Sequence, residues 1–422
     1  MAVRVVCGAQ FGDEGKGKIT DLLAGEADVV IRYQGGCNAG HTVVVGDQEF
    51  KLHLVPSGIL YPDTLCLMAD GTVIDLAVLA EEHDGLEQRG ICCEGLKISG
   101  NAHVLMPYHK LLDGLDEDRR GASAVGTTRR GIGPVYSDKA ARRGLRIWDL
   151  QDRGRFRECV AAGVAYHNEL FSLYGQEPLR PEAVEAEVLA AFERVADHVA
   201  DTRALVREAV QAGDDILMEG AQGTYLDLDY GTYPYVTSSH PVSGGACLGT
   251  GISPTVIDEV TAVAKAYQTR VGHGAFPTEL LDDTGEAMRR RGVEFGTTTG
   301  RPRRCGWLDA VLLRESAWLN GATQLAVTKL DILDQFETLK VATAYEIKGE
   351  VCEAPPGDLR LLDVAVPVYE DLSGWQQPIG DCRNWEDLPA AAQAYLQRVS
   401  ELAAAPIGIV SVGPAREQTI MV

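Results

Sequence analysis

The chain contains no apolar stretch near the roughly 18 residues needed to span a bilayer, so nothing in it reads as a membrane segment. Nothing at the N-terminus resembles a secretory signal, since Ala2 to Ala9 is short and leads straight into glycine-rich sequence. Its ten cysteines include no C-x-x-C pair, and only Cys92 and Cys93 adjoin. Over 422 residues that spacing argues against a disulfide frame or a zinc site and for reduced, mostly buried thiols in a cytoplasm. Positive charge is scarce. Against 61 Asp and Glu there are 39 Lys and Arg, a formal net charge of -22 that disfavours nucleic acid or an anionic membrane as partner. Length alone suggests two or three domains, but repeats, low-complexity tracts and evident linkers are all missing. The expectation is one large unit over 1–422.

What is present starts with a β-branched run, Val3 to Cys7, followed by "GAQFGDEGKGKIT" from Gly8 to Thr20. A strand turning into a helix across a phosphate has this composition. Read from Gly12, the stretch fits G-x-x-x-x-G-K. Yet Ile19 stands where a phosphate loop places its magnesium-binding hydroxyl, and Thr20 comes one position late. Two carboxylates, Asp13 and Glu14, also lie within a loop meant for an anion.

Basic residues cluster in two places. Between Arg119 and Arg146 there are eight Lys or Arg and one acid, Asp138, and "TTTGRPRRCGW" adds Arg301, Arg303 and Arg304. Most charge runs are solvated faces. These are interleaved with Gly, Thr and Pro, which suits loops whose arginines fork onto phosphate or carboxylate.

Strand and helix signals alternate along the chain. Val3–Cys7, Val29–Tyr33, Thr64–Met68 and Leu96–Ser99 read as strands, and Lys16–Ala24 and Val73–Gln88 as helices. "HTVVVGDQEFKLHLV" reads as a hairpin turning at Gly46 and Asp47, and Pro181 to Ala212 as two helices. "DDILMEGAQG", "QLAVTKLD" and "PIGIVSVG" are apolar strands running into turns. The pattern predicts an α/β protein with a mostly parallel central sheet flanked by helices. Ligands in such sheets sit at turns directly after strands.

Those turns carry "RYQGGCNAGHTV", "AVGTTRRGIGP", "KAARRGLR", "EGAQGTYLDLDYGTYPYVTSS", "GTTTGRPRRCGWLD" and "VTKLDILD". With the first loop and Ser411-Val412-Gly413, this ordered set resembles the bacterial-type adenylosuccinate synthetase family over essentially the whole chain. One glycine loop would be weak; this many motifs in order are specific.

The resemblance implies a P-loop-like GTP-binding ligase fold. It implies GTP-dependent joining of L-aspartate to IMP through a 6-phosphoryl-IMP intermediate, giving adenylosuccinate, GDP and phosphate. Magnesium would be the metal, held by Asp13 and the carbonyl of Gly40. Asp13 would be the general base for the N1 proton, so the missing hydroxyl at Ile19 is no defect. An ionised carboxylate is a weak base, and the developing oxyanion needs simultaneous stabilisation. His41 would supply it, Lys16 would neutralise phosphoryl charge, and Gln222 would read a purine edge.

By the same resemblance, IMP would meet Asp13, Lys16, Asn38, Gly40, His41, Thr128, Gln222, Thr237 and Arg301, with Arg142 inserted from the second subunit of a homodimer. Aspartate would meet Thr297, Thr298, Thr299, Gly300, Arg301 and Arg303. GTP would meet Gly12 through Lys18 (with Glu14, Gly15 and Gly17), Gly40, His41, Thr42, Arg303, Lys329, Asp331, Ser411, Val412 and Gly413. An aspartate after a strand, as in "TKLD", can accept from both N1–H and the 2-amino group of guanine, while the stem of Lys329 covers the base. Pro302 stands where many relatives carry a basic residue, and Cys37 and His273 also differ from common family residues.

Taken singly, each position has a plainer reading. Asp13 could be a helix-start carboxylate, His41 a satisfied hairpin histidine, and Thr128 and Gln222 turn residues. Two other functions remain to be weighed. A regulatory GTPase lacks a use for the paired arginines and would hydrolyse GTP without IMP. A ligase for another purine nucleotide is less consistent with Asp13 and Gln222.

Overall fold

The computed structural model describes residues 2–45, 48–121, 124–296 and 300–422. Its centre is a ten-stranded sheet. In chain order the strands are β1 (Val3–Gly8), β2 (Val29–Arg32), β3 (Leu65–Met68), β4 (Leu96–Ser99), β5 (Val199–Ala200), β6 (Ile216–Glu219), β7 (Glu259–Lys265), β8 (Gln324–Thr328), β9 (Ile407–Ser411) and β10 (Thr419–Met421). Their spatial order is β10-β9-β8-β7-β1-β6-β2-β3-β4-β5. All neighbours run parallel except β9 and β10.

Strand alternation explains why the apolar runs are continuous rather than alternating. In β1, Val3, Val5 and Cys7 enter the core on one face, and Val6 enters the other. Val29 and Ile31 repeat this in β2, with Val30 opposite. A sheet buried on both faces needs apolar residues at both parities. One face is covered by helices Thr202–Ala212, Ala310–Asn320 and Ala390–Ala403, which contribute Val206, Leu313 and Leu396. The other is covered by Lys16–Ala24, Leu76–Gln88 and Arg153–Leu173, through Ile19, Leu79 and Val160.

The sequence expectations hold for these elements, with small shifts in bounds. The region read as two helices is Pro181–Phe192 and Thr202–Ala212. The helix expected from Val73 starts at Leu76 instead, because Asp75 is its N-cap and accepts from the Val78 amide. Val73–Ile74 is a short strand paired with His103–Val104. His41–Val45 and Gln48–Leu52 form the expected antiparallel hairpin, and its turn at Gly46 and Asp47 lies outside the described residues.

Because the strands from β1 to β9 run parallel, their C-terminal ends share one edge. Gly8, Arg32, Glu219, Lys265, Thr328 and Ser411 end there. The turns that follow these ends carry the candidate site.

Candidate active site

A cleft of about 560 Å³ opens along that edge. The first loop lines it with Gly12, Asp13, Gly15, Lys16, Gly17 and Lys18. The turn after β2 adds Asn38, Gly40, His41 and Thr42, and the turn after β6 adds Gln222. Thr128, Arg303, Lys329, Asp331, Ser411 and Gly413 complete the set of expected residues in the wall. Phe11, Leu226 and Thr328, which lie within the quoted motifs, also line it, as do Val271 and Arg291, which lie in none of them.

Glu14 resolves the puzzle of an acid in the loop. Its side chain is fully buried and turned inward, where one oxygen accepts the amides of Gln10 (3.0 Å) and Gly12 (2.9 Å). The other accepts from Lys16 Nζ at 2.5 Å. Glycine at two neighbouring positions makes this possible, since a Cβ on Gly8 would lie 2.6 Å from the carboxylate and one on Gly223 would lie 2.5 Å from it. Glu14 therefore shapes the loop from beneath rather than lining the cleft. The Thr328 hydroxyl at the end of β8 donates to the Glu14 carbonyl, tying the loop to the next turn.

Lys18 is also a tether. Its ammonium donates to Ser411 Oγ (2.7 Å), the Gly413 carbonyl (2.7 Å) and the Gln418 carbonyl (2.9 Å). Burial pushes its pKa down to about 8. Val412, between those residues, is wholly buried in the core.

Several non-glycine residues in the left-handed region sit at candidate positions: Asp13 (φ 60°), Gln222 (φ 60°), Lys329 (φ 56°) and Arg142 (φ 63°). That conformation is costly without glycine and collects where function demands it. Two buried amide oxygens, Asn38 Oδ1 and Gln222 Oε1, have no hydrogen-bond partner among the described residues. Buried acceptors of this kind call for a donor from elsewhere.

His41 has a partner that motif reading missed. Its Nδ1 is 2.5 Å from Glu219 Oε1 at the end of β6, and Arg32 Nη1 donates to the same oxygen at 2.9 Å. The Ser57 amide donates to Oε2 at 2.8 Å. Burial would raise the Glu219 carboxyl, but the His41 ring and the Arg32 guanidinium outweigh it and hold its pKa at about 2. Burial lowers the His41 pKa, against the pull of Glu219. With Nδ1 taken by an ionised carboxylate, Nε2 is the ring nitrogen His41 can offer to a ligand. The sequence signal was an acid directly after "ILM" and before the glycine turn.

Helix Pro107–Arg120 was missed as well, and it holds the Thr128 loop. Glu117 accepts the amides of Val125 (3.3 Å), Gly126 (2.5 Å) and Thr127 (3.0 Å), and Asp113 accepts that of Gly131 (2.8 Å). His109, one turn earlier, donates from Nε2 to Asp138 at 3.1 Å. Asp138 also accepts from Arg143 Nε at 2.8 Å, and His167 Nε2 lies 3.6 Å from it. His109, Asp138 and His167 are close enough to hold a metal. However, the Met106 amide donates to His109 Nδ1, which leaves the proton on the nitrogen facing Asp138. The cluster is thus a hydrogen-bonded anchor for the turn at Arg142.

Arg142 itself is exposed at the end of helix Ile132–Ala141 and away from its own chain's cleft. Thr237 does not line the cleft, but its amide donates to the carbonyl of Leu226, which does. Gly300 and Arg301 lie outside the wall, and Arg301 Nη1 reaches the Gly126 carbonyl at 3.4 Å. Thr297, Thr298 and Thr299 lie outside the described residues. Arg303 Nη2 donates to Asp13 Oδ1 at 2.8 Å. The basic clusters serve two purposes, since Arg129 pairs with Asp118, Arg143 with Asp138 and Arg304 with Glu279. Those three arginines are held by acids of the fold.

The sequence profile described as adenylosuccinate synthetase matches residues 5–420. The adenylosuccinate synthetase of Moorella thermoacetica is 55% identical over 422 residues, covering 100% of this chain and 99% of that protein. That of Synechococcus elongatus is 56% identical over 423 residues, covering 100% and 95%. Among solved structures, fully ligated adenylosuccinate synthetase from Plasmodium falciparum superposes with a TM-score of 0.94 at 35% identity, over 100% of both chains. A cyanophage succinoaminodeoxyadenylate synthetase bound to dGMP and dATP shares the fold, with a TM-score of 0.60 at 21% identity over 100% of this chain and 95% of that one. No described helix is long and apolar enough to cross a membrane. The chain belongs to the adenylosuccinate synthetase family, GTP-dependent ligases that join L-aspartate to IMP on the route to AMP.

Proposed function

We propose that the cleft performs this ligation in two displacements, with Asp13 as the base of the first. Asp13 takes the N1 proton of IMP, O6 attacks the γ-phosphorus of GTP, and GDP departs. The amine of aspartate then attacks C6 of the 6-phosphoryl ester, and phosphate leaves with the C6–O6 bond electrons. Oxide could not leave; phosphate can.

His41, with Nδ1 held by Glu219, offers Nε2 to the phosphoryl group during the first displacement. Lys16 sits in the wall to meet phosphoryl charge, and Asn38, Thr128, Gln222 and Thr237 meet the nucleotide. Asp331 and Lys329 recognise guanine, with Ser411 and Gly413 beside them. Arg303 and the 297–301 segment take the carboxylates of aspartate. What carries this reading is the pair of buried, unpartnered amide oxygens on Asn38 and Gln222, in one wall with Asp13 and His41.

The donors fit magnesium. Asp13 brings a carboxylate to the cleft and Gly40 a backbone carbonyl, both hard oxygens. Arg303 occupies Asp13 Oδ1, and Oδ2 has no protein partner among the described residues. Bound there, the ion would supply Lewis-acid stabilisation of the phosphates.

The reading extends to a homodimer in which Arg142 serves the partner's IMP. Its exposure away from its own cleft, and the anchor beneath its turn, support this. A cytoplasmic setting suits ten free cysteines. One functional unit over 1–422 suits a cleft built from Phe11 through Pro414.

Asp13→Asn is the direct test. It keeps shape but removes the proton acceptor, so kcat should fall by about 10²–10⁴-fold, the usual worth of general-base catalysis. The KM for aspartate should not rise, because the change frees the Nη2 arm of Arg303. Near-normal turnover would remove Asp13 from the mechanism.

A further inference from the structure

Glu294 is a fully buried carboxylate that the reaction as described does not use. It follows the left-handed residue Val293, just after helix Asp283–Gly292 and at the root of the segment carrying Arg303. Lys265 Nζ donates to both of its oxygens, at 2.8 and 2.9 Å. Arg303 Nη1 donates to Oε2 at 2.6 Å, Lys329 Nζ lies 3.3 Å from Oε1, and the Tyr267 hydroxyl donates as well. The Glu294 carbonyl accepts the Arg303 amide at 2.9 Å. Ionising a carboxylate in such a place is expensive unless cations and donors surround it, as they do here.

The second arm of Arg303 reaches Asp13 Oδ1 at 2.8 Å. Ion pairs therefore run without a break from Lys329, beside the guanine-reading Asp331, through Glu294 and Arg303 to Asp13. We infer that Glu294 is a positioning residue that couples the guanine pocket to the arginine that receives aspartate. The inference rests on the roles proposed above for Lys329, Asp331 and Arg303.

The physical argument concerns one guanidinium and three carboxylates. Aspartate must draw the Nη2 arm of Arg303 away from Asp13, because that arm already has an anion. While Glu294 holds Nη1, Arg303 cannot fold both arms onto Asp13, and Nη2 stays aimed at the cleft. A guanine nucleotide that fixes Lys329 fixes one flank of Glu294 and so the fork of Arg303. Each ligand then orders part of what the other needs, and such coupling is reciprocal.

The test uses the full-length dimer with magnesium, IMP and a non-hydrolysable imido analogue of GTP. In the wild type, saturating aspartate should tighten the analogue by about fivefold or more, within the usual range of coupling between sites. Glu294→Gln should bring that factor close to one and raise the aspartate KM more than it lowers kcat. Lys329→Gln cuts the same chain at its more exposed end and should also abolish the coupling, which covers the case in which Glu294→Gln fails to fold. A wild type without coupling, or coupling that survives in either variant, overturns the inference. So does a lowered Tm in Glu294→Gln with unchanged coupling and aspartate KM, which is what a purely structural role gives. Asp331→Asn separates the two levels. If it leaves analogue affinity unchanged, the guanine assignment has failed; if affinity drops while coupling survives in Glu294→Gln, only the coupling has.

Discussion

Replacing Glu219 by glutamine should stop turnover while sparing substrate binding. The carboxylate serves three donors: His41 Nδ1 at 2.5 Å, Arg32 Nη1 at 2.9 Å and the Ser57 amide at 2.8 Å. A glutamine of the same shape offers one acceptor oxygen and turns two hydrogens toward the remaining donors. If its oxygen stays with Ser57, the amide nitrogen confronts His41 and Arg32. The ring then loses the anion that favours its protonation as charge develops on the phosphoryl group, so Nε2 becomes a weaker donor in the transition state. Swapping an orienting carboxylate for its amide in the serine-protease triad costs about 10⁴ in kcat, which sets an upper scale for such a change. Here the expected loss is about 10²–10⁴-fold in kcat, since His41 works alongside other groups. The KM values for IMP, GTP and aspartate should stay within a few-fold, because His41 is not the only contact of any substrate. Stability should drop as well, because breaking a buried pair by removing one partner costs about 3–5 kcal/mol. The assay is steady-state formation of adenylosuccinate by absorbance, run well below the Tm of the variant as read from circular dichroism. A folded variant with kcat within about threefold of wild type would refute the reasoning. Glu219→Asp, which keeps the charge at a shorter reach, should recover part of the rate.

Other outcomes follow from the same geometry. Arg142→Leu and Asp13→Ala should each be nearly inactive, and mixing them under subunit exchange should restore activity, because one site in the heterodimer keeps both groups. No recovery in a verified heterodimer would mean that Arg142 acts within its own chain. Asp331→Asn puts a donor opposite a donor of guanine, so the KM for GTP should rise and XTP should become a usable donor. For wild type, ATP should be poorer than GTP by up to ~10⁴–10⁵, as for a buried site built to pair with groups the analogue lacks. An unchanged GTP-over-XTP ratio in the variant would exclude guanine reading by Asp331. Finally, the folded-state pKa of Glu219 at about 2 lies below its unfolded value. Its stabilisation is therefore present above about pH 4.3 and lost as pH falls toward 2. Acid unfolding followed by fluorescence should be flatter across that window in Glu219→Gln, and a slope equal to wild type would remove Glu219 from the acid response.

The sheet was legible because its strands are continuous apolar runs that end in glycine turns. Val3–Gly8, Ile216–Glu219 and Ile407–Ser411 each announce themselves in this way. The cleft was legible for a related reason: groups that face a ligand lie in those turns, close together in sequence and of unusual type. Asp13 and Lys16 share one loop, and Asn38 and His41 share another. The antiparallel pairing of Thr338–Ile347 with Val366–Ser373 was not visible, because an edge-like strand with the burial of Val366–Ser373 has little apolar contrast.

The acids that hold the site in shape were invisible for a different reason. Glu14, Glu117, Glu219 and Glu294 are all buried, and each accepts two or more donors. In sequence a buried glutamate looks the same as a solvated one, and in a chain of net charge -22 it is lost among many. For Glu219 the role depends on what arrives from far away, since Arg32 lies 187 positions from it. The left-handed backbone at Asp13, Gln222 and Lys329 is hidden for the same reason, since no glycine marks it. Each of those three residues follows a parallel strand by only a few positions and must turn its side chain back over the strand edge. The backbone strain and the buried carboxylates are therefore parts of one arrangement. The chain accepts an unfavourable φ where a side chain must face the cleft, and the inward acids bind the amides and cations that keep it there. This has a consequence for mutation. Substituting glycine at Gln222 or Lys329 relieves the backbone yet removes the group, whereas glutamine at an inward acid keeps every ligand-facing group and loosens them all.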